Sequence, residues 1–138
     1  MSVRTFVDTN VLVCAYDGSA QQKQRIAKSL LAELWRERAG VLSVQVLQEF
    51  YVTVTKKISR PLTKRAAREV AITYAEWCVE TSASLVPAAS QMEEDFQITF
   101  WDGLIVASAA KAGADRIVSE DMNDGQVISG VRIENPFR

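Results

Sequence analysis

The sequence predicts an α/β domain built on a short parallel sheet. Three observations carry that reading: short β-rich runs alternate with long amphipathic stretches, the chain has 138 residues, and no repeat or Pro/Gly-rich linker interrupts it. Alternation of this kind lays helices over parallel strands through right-handed crossovers. The length suits one domain with a sizeable core, so residues 1–138 are expected to form a single domain.

Val3 to Val7 is a β-rich run that stops at Asp8-Thr9-Asn10, and Val11, Leu12, Ala15 and Tyr16 then recur at helical spacing. From Gln21 to Arg38, the residues Ile26, Leu30, Leu31, Leu34 and Trp35 form one apolar stripe, with Gly40 expected to close that helix. Val41-Leu42-Ser43 reads as a minimal strand, and Ser43 as the cap of a third helix through Val44, Leu47, Phe50, Tyr51 and Val54. Pro61 and Thr63 break the chain before a long helix from Thr63 to about Glu80. Ser84-Leu85-Val86 is expected to be a strand stopped by Pro87, and Ala88 to Gln97 a helix. Asp102 is placed as the cap of a helix over Gly103 to Ala112 that ends at Gly113. Arg116-Ile117-Val118 and Val131-Arg132-Ile133 complete the strands.

Composition narrows the chemistry. The chain has no histidine, which removes Ser-His and Cys-His catalytic pairs, imidazole ligands and a histidine base. Cys14 and Cys78 form neither a CxxC pair nor a disulfide framework, so a reducing cytoplasm is the simplest compartment. The N-terminal stretch from Met1 to Val7 lacks the apolar core of a signal peptide, and no apolar run is long enough to span a bilayer. No P-loop or dinucleotide-binding glycine pattern is present.

A net charge of −1 hides an uneven distribution. Residues 1–75 hold 12 Lys/Arg against 6 Asp/Glu, whereas residues 76–138 hold 4 against 11. Lys56, Lys57, Arg60, Lys64, Arg65 and Arg68 form a basic run with no acid inside it. Such a run either tracks the phosphates of a nucleic acid or is a solvated face.

Four acids follow strands or open helices: Asp8, Glu49, Asp102 and Asp121. Singly, each has an ordinary explanation as a cap, a solvated helical residue or a turn residue. Parallel topology sends all four to one edge of the sheet, where ligands of such folds gather. Two carboxylates about 5 Å apart repel by roughly 3 kcal/mol at an effective dielectric of 20, so a group of four calls for raised pKa values or a counter-charge. Without His or clustered Cys, the fitting counter-charge is a hard, oxygen-bound divalent cation, Mg²⁺ or Mn²⁺. An acidic site of this kind suits phosphoester hydrolysis. Asn10 either orients Asp8 by a hydrogen bond or caps the first helix, and Ser119 is expected to orient the Asp121 carboxylate by a hydrogen bond. Asp124 is either a secondary ligand or part of the Asn123-Asp124-Gly125 turn, and Glu93, Glu94 and Asp95 read as solvated.

Phe6-Val7-Asp8-Thr9-Asn10-Val11-Leu12, Ser43 to Phe50 around Glu49, Phe100-Trp101-Asp102-Gly103-Leu104-Ile105 and Ser119-Glu120-Asp121-Met122-Asn123 resemble, in order, the four acidic motifs of PIN-domain ribonucleases. Asn135-Pro136-Phe137 is similar too, so the likeness spans nearly the whole chain, and its size resembles that of the VapC toxins of toxin–antitoxin pairs. The resemblance implies a three-layer α/β/α fold with a short, mainly parallel sheet, and a Mg²⁺- or Mn²⁺-dependent endoribonuclease. It implies Asp8 and Asp102 as direct ligands, with Glu49 and Asp121 completing the site directly or through water. It also implies an RNA substrate, a cognate antitoxin and a homodimer. Gly103 departs from the pattern where relatives commonly carry alanine, a small-for-small change expected to leave the carboxylate in place. The competing readings are a noncatalytic PIN-like module that binds RNA or protein, and a phosphatase using Asp8 as nucleophile, against which Asn10 stands where a second acid is needed.

Overall fold

The computed structural model describes residues 2–138; Met1, where the N-terminal stretch begins, lies outside the described residues. Five strands form one sheet: β1 (Thr5–Val7), β2 (Gly40–Val41), β3 (Arg116–Val118), β4 (Val127–Ile128) and β5 (Val131–Glu134). Six helices surround it: α1 (Thr9–Tyr16), α2 (Gln21–Glu37), α3 (Val44–Lys56), α4 (Lys64–Tyr74), α5 (Leu85–Phe96) and α6 (Phe100–Lys111). The sheet order is β2-β1-β3-β5-β4, all parallel except β4 against β5. The arrangement is a three-layer α/β/α fold.

Central position explains the composition of β1. Thr5, Phe6 and Val7 are all buried, as expected of a strand covered on both faces. Phe6, Leu12, Leu34, Leu42, Phe50, Ile117 and Ile133 belong to one continuous core. Around it, Trp35, Tyr74 and Trp77 stack at centroid distances of 4.6–5.5 Å.

The structure corrects several expectations. Ser84-Leu85-Val86 is no strand: Leu85 and Val86 begin α5, and Pro87 sits in its first turn, where the missing N–H has no helical partner to lose. Leu85 and Ala89 are buried, so that apolar run belongs to a helix face. Thr99, not Asp102, caps α6, its Oγ1 accepting from the Asp102 N–H at 3.1 Å. Gly40 does not close α2. Arg38 takes the left-handed position there (φ 54°), while Gly40 lies in β2 beneath Trp77, whose ring carbons would stand 2.7 Å from an added Cβ. The helix from Thr63 ends at Tyr74, and a single 3-10 turn, Ala75–Trp77, delivers Cys78 to a parallel bridge with Leu42. Ser43 occupies the N-cap position of α3, but its side chain makes no capping bond. β4 is absent from the expected strands. It forms a hairpin with β5 through Ser129 (φ 51°) and Gly130 (φ 79°), two positive-φ positions that suit a two-residue turn.

Chain order creates a crevice at the sheet's carboxyl edge. The chain leaves β1 for β2 on one side and returns from β2 to β3 on the other, so the connections after β1 and β3 diverge. Asp8 and Ser119 are the first residues past those two strands, and the Val7↔Val118 register puts them side by side.

Candidate active site

Asp8 anchors this crevice. Its N–H donates to the Val118 carbonyl at 3.1 Å, and Oδ1 accepts from the Thr9 N–H at 2.8 Å, capping α1. Oδ2 accepts from Ser119 Oγ at 2.8 Å and from Asn10 Nδ2 at 3.2 Å. Asn10 Nδ2 also lies 3.2 Å from Ser119 Oγ and from Asp121 Oδ2, while Asn10 Oδ1 accepts from the Glu120 N–H at 3.1 Å. The Asp121 N–H in turn donates to Ser119 Oγ at 3.2 Å. One amide and one hydroxyl thus tie the end of β1 to the loop after β3, and the Ser119 hydroxyl orients the Asp8 carboxylate rather than that of Asp121, which Asn10 meets instead.

Asp102 and Glu49 arrive from helices. Because Thr99 satisfies the first turn of α6, the Asp102 carboxylate is left to face the crevice from a position that the helix dipole favours. Glu49 stands on α3, exposed, its Oε1 accepting from Thr9 Oγ1 at 3.4 Å. All four acids line one cleft of about 380 Å³. Asp17 and Glu120 line it as well, and no Lys or Arg does. Lys23 meets Glu120 at 2.6 Å from the rim. Sequence reasoning did not single out Asp17, Glu120, Gln45, Thr53 or Trp101 as cleft residues; Glu120, two residues past β3 and next to Asp121, carried the same signal as its neighbour.

Burial pushes the Asp8 carboxyl up from 3.8 to about 6, with the Asp102 and Glu49 charges adding to the rise and the Ser119 and Thr9 bonds opposing it. Asp102 is raised too, by burial first and then by the charge of Asp121. The cleft is therefore short of positive charge. Its donors are hard carboxylate and amide oxygens, which fit Mg²⁺ or Mn²⁺ and no softer ion. Among the described residues, however, no three of these side chains already stand in metal-ligating geometry.

Other residues lie elsewhere. Asp124 does not line the cleft: its Oδ1 accepts from the Asn135 N–H at 2.8 Å and its Oδ2 lies 4.0 Å from Arg138. Lys56, Lys57, Arg60, Lys64, Arg65 and Arg68 are all exposed on the end of α3, the following loop and the start of α4, and Arg65 pairs with Glu69 at 3.5 Å. Glu49, Thr53 and Lys57 are spaced four residues apart, so one face of α3 runs from the cleft to this basic run. The cleft is not the largest cavity. One of about 510 Å³ lies beside β2, but it is lined by Arg4 and Arg38 and has Glu76 as its one acid, so it cannot collect a cation.

Residues 5–123 match the sequence profile of the PIN domain. This chain belongs to the PIN-domain family. Among solved structures, the PIN chain is similar to one from "Toxin-antitoxin complex from Klebsiella pneumoniae", at 19% identity and a TM-score of 0.69, covering 96% of this chain and 97% of that one. No curated protein sequence matches it significantly. PIN domains are in general nucleases that use divalent metal ions, and the crevice after β1 and β3 is where this PIN domain concentrates its acids.

Proposed function

We propose that this PIN domain, residues 1–138 as one unit, is a metal-dependent endoribonuclease that cuts single-stranded RNA. The observation that carries the reading is the convergence of Asp8, Glu49, Asp102 and Asp121 on one cleft whose lining has no cationic side chain. Asp8 and Asp102 would hold Mg²⁺ or Mn²⁺ directly, with Glu49 and Asp121 completing the site directly or through water. When bound, the ion supplies a more acidic water and offsets charge on the phosphate. Asn10 and Ser119 fix the Asp8 carboxylate by donating to it, and Glu49 or Asp121 takes the proton of the attacking water.

We further propose that the chain is a VapC-type toxin, cytoplasmic and homodimeric, held in check by a cognate antitoxin. The near-complete mutual coverage with a chain from a toxin–antitoxin complex supports this reading, as does the small size. Among the described residues no helix is long and apolar enough to cross a membrane.

The test is cleavage of single-stranded RNA by purified protein. Cleavage is expected with Mn²⁺ or Mg²⁺, and its loss with EDTA and in folded Asp8→Asn and Asp102→Asn proteins. Full activity in both variants would reject the assigned roles. Sequencing the RNA ends produced on induced expression would identify the substrate, and co-expression of the adjacent open reading frame would test the antitoxin.

A further inference from the structure

Beyond the acidic cleft, Asp102 and Asp121 also form one wall of a second, smaller cavity of about 210 Å³. Its remaining lining is of a different kind: Gln97, Thr99, Asn123 and Gln126, with Ile98 and Met122 as the apolar part. No Lys or Arg lines it, so it is built for neither a phosphate nor a free carboxylate. Three side-chain amides converge there, and each keeps a group unspent. Asn123 Nδ2 donates to Gln126 Oε1 at 3.3 Å, and Gln97 Nε2 donates to the Glu94 carbonyl at 3.1 Å. Asn123 Oδ1, Gln126 Nε2 and Gln97 Oε1 have no protein partner among the described residues.

The backbones that carry these amides are fixed. The Gly125 N–H donates to the Ile133 carbonyl at 2.7 Å, the Ile133 N–H to the Gln126 carbonyl at 2.9 Å, and the Gln126 N–H to the Asn123 carbonyl at 3.1 Å. Asp124 holds the same loop against Asn135. On the other side, Gln97 ends α5 in the left-handed conformation (φ 56°) and Thr99 caps α6. Gln97, Thr99 and Asn123 are exposed and Gln126 half-buried, so their amides are open to a ligand while their backbones are fixed, and donors and acceptors so mounted beside a polarizable Met edge suit the edge of a flat heterocycle. Amides read base edges by paired donor and acceptor bonds, and the edges of unstacked bases are what proteins hydrogen-bond when they read single-stranded RNA.

We infer that the Gln97–Thr99–Asn123–Gln126 pocket receives the nucleobase next to the phosphate that is cut, and so sets the base preference of this PIN domain. The inference rests on the nuclease reading for the direction in which the strand lies, but base capture by the pocket can be measured without cleavage.

Two measurements decide it. In the first, a pool of randomised single-stranded RNA heptamers is cut by wild-type protein with Mn²⁺, and the ends are sequenced. One position beside the cut is expected to favour a particular base, and Asn123→Ala, Gln126→Ala and Gln97→Ala are each expected to flatten that preference by about tenfold, the low end of what a hydrogen-bonded amide–base contact is worth. A preference retained in all three variants, or no preference in the wild type, overturns the inference and leaves the nuclease reading standing. In the second, labelled heptamers with a single abasic position, scanned along the strand, are titrated in EDTA and followed by anisotropy. Weaker binding at one abasic position, abolished as a difference in the three variants, supports the pocket even if nothing is cut, in which case the nuclease reading fails alone. Equal binding of intact and abasic strands overturns the pocket.

Discussion

At the scale of single residues, Asp8 combines a structural and a chemical role, and the two have opposite effects on stability. As a cap it secures α1, yet as a buried carboxylate its pKa rises from 3.8 to about 6. A group raised in the folded state contributes stability fully below pH 3.8 and loses that contribution as pH rises through 6. Two pKa units correspond to about 3 kcal/mol, an upper bound for what ionised Asp8 costs the metal-free protein at neutral pH. Asn caps a helix as well as Asp, although its amide would meet the Asn10 and Ser119 donors. Asp8→Asn is therefore expected to stabilise the protein in EDTA at pH 7.5 by about 1–2 kcal/mol, and by much less at pH 4, in urea titrations. A variant less stable than wild type at pH 7.5 would show that the cap and its hydrogen bonds outweigh the buried charge. Asn10→Ala removes the amide that spans Asp8 and Asp121, and cleavage is expected to fall about 10–100-fold, the usual loss when a metal ligand loses its support.

At the scale of elements, the pair α5–α6 was the hardest to read. Leu85-Val86 has strand-like composition, but a neighbouring helix buries Leu85, and tertiary packing overrides local propensity. Thr99 and Asp102 are both good caps; the chain uses the first, which leaves the second free for the cleft. β4 is a two-residue edge strand whose Val127 is exposed, and its one sequence signal is the Ser129-Gly130 turn that precedes β5. Gly103 is a small-for-small change in sequence, but the structure places a tighter constraint on it. A Cβ there would stand 2.6 Å from the backbone carbonyl oxygen of Ala89, so glycine allows α6 to approach α5 closely. Helix propensity favours Gly103→Ala by about 1 kcal/mol, but overpacking against backbone costs about 1–3 kcal/mol. The variant is expected to be less stable in urea and less active, because the next residue back is Asp102. A gain in stability would mean that the helices part without strain.

Over the whole molecule, the cleft draws its acids from both halves of the chain: Asp8, Asp17 and Glu49 from the first, Asp102, Glu120 and Asp121 from the second. One face of α3 leads from Glu49 past Thr53 to Lys57, about 12 Å along the helix axis, where the basic run begins. A polyanion repelled by unfilled carboxylates would find its attraction there. Lys57→Ala combined with Arg65→Ala is expected to weaken RNA binding and to lower the salt slope by about 1.4, at roughly 0.7 per phosphate contact. An unchanged slope would make these residues a solvated face. Asp8 and Asp121 were legible because alternating strands and helices fix which edge of the sheet the ends of β1 and β3 reach, whereas Asp102 lies on a helix that follows another helix and Glu49 lies inside α3, so the strand pattern alone does not place them. The amide pocket was not legible. Residues 97, 99, 123 and 126 follow no shared pattern, and only the approach of the α5–α6 corner to the loop before β4 makes them neighbours.

The Val7↔Val118 pairing fixes more than neighbourhood. Side chains along a strand point alternately up and down, so adding or deleting one residue between Thr5 and Asp8 would turn the aspartate away from Ser119 while leaving the composition almost untouched. Substitutions within β1 and β3 leave that count intact, whereas an insertion or deletion there is expected to dismantle the Asp8–Ser119 pair even where the fold survives.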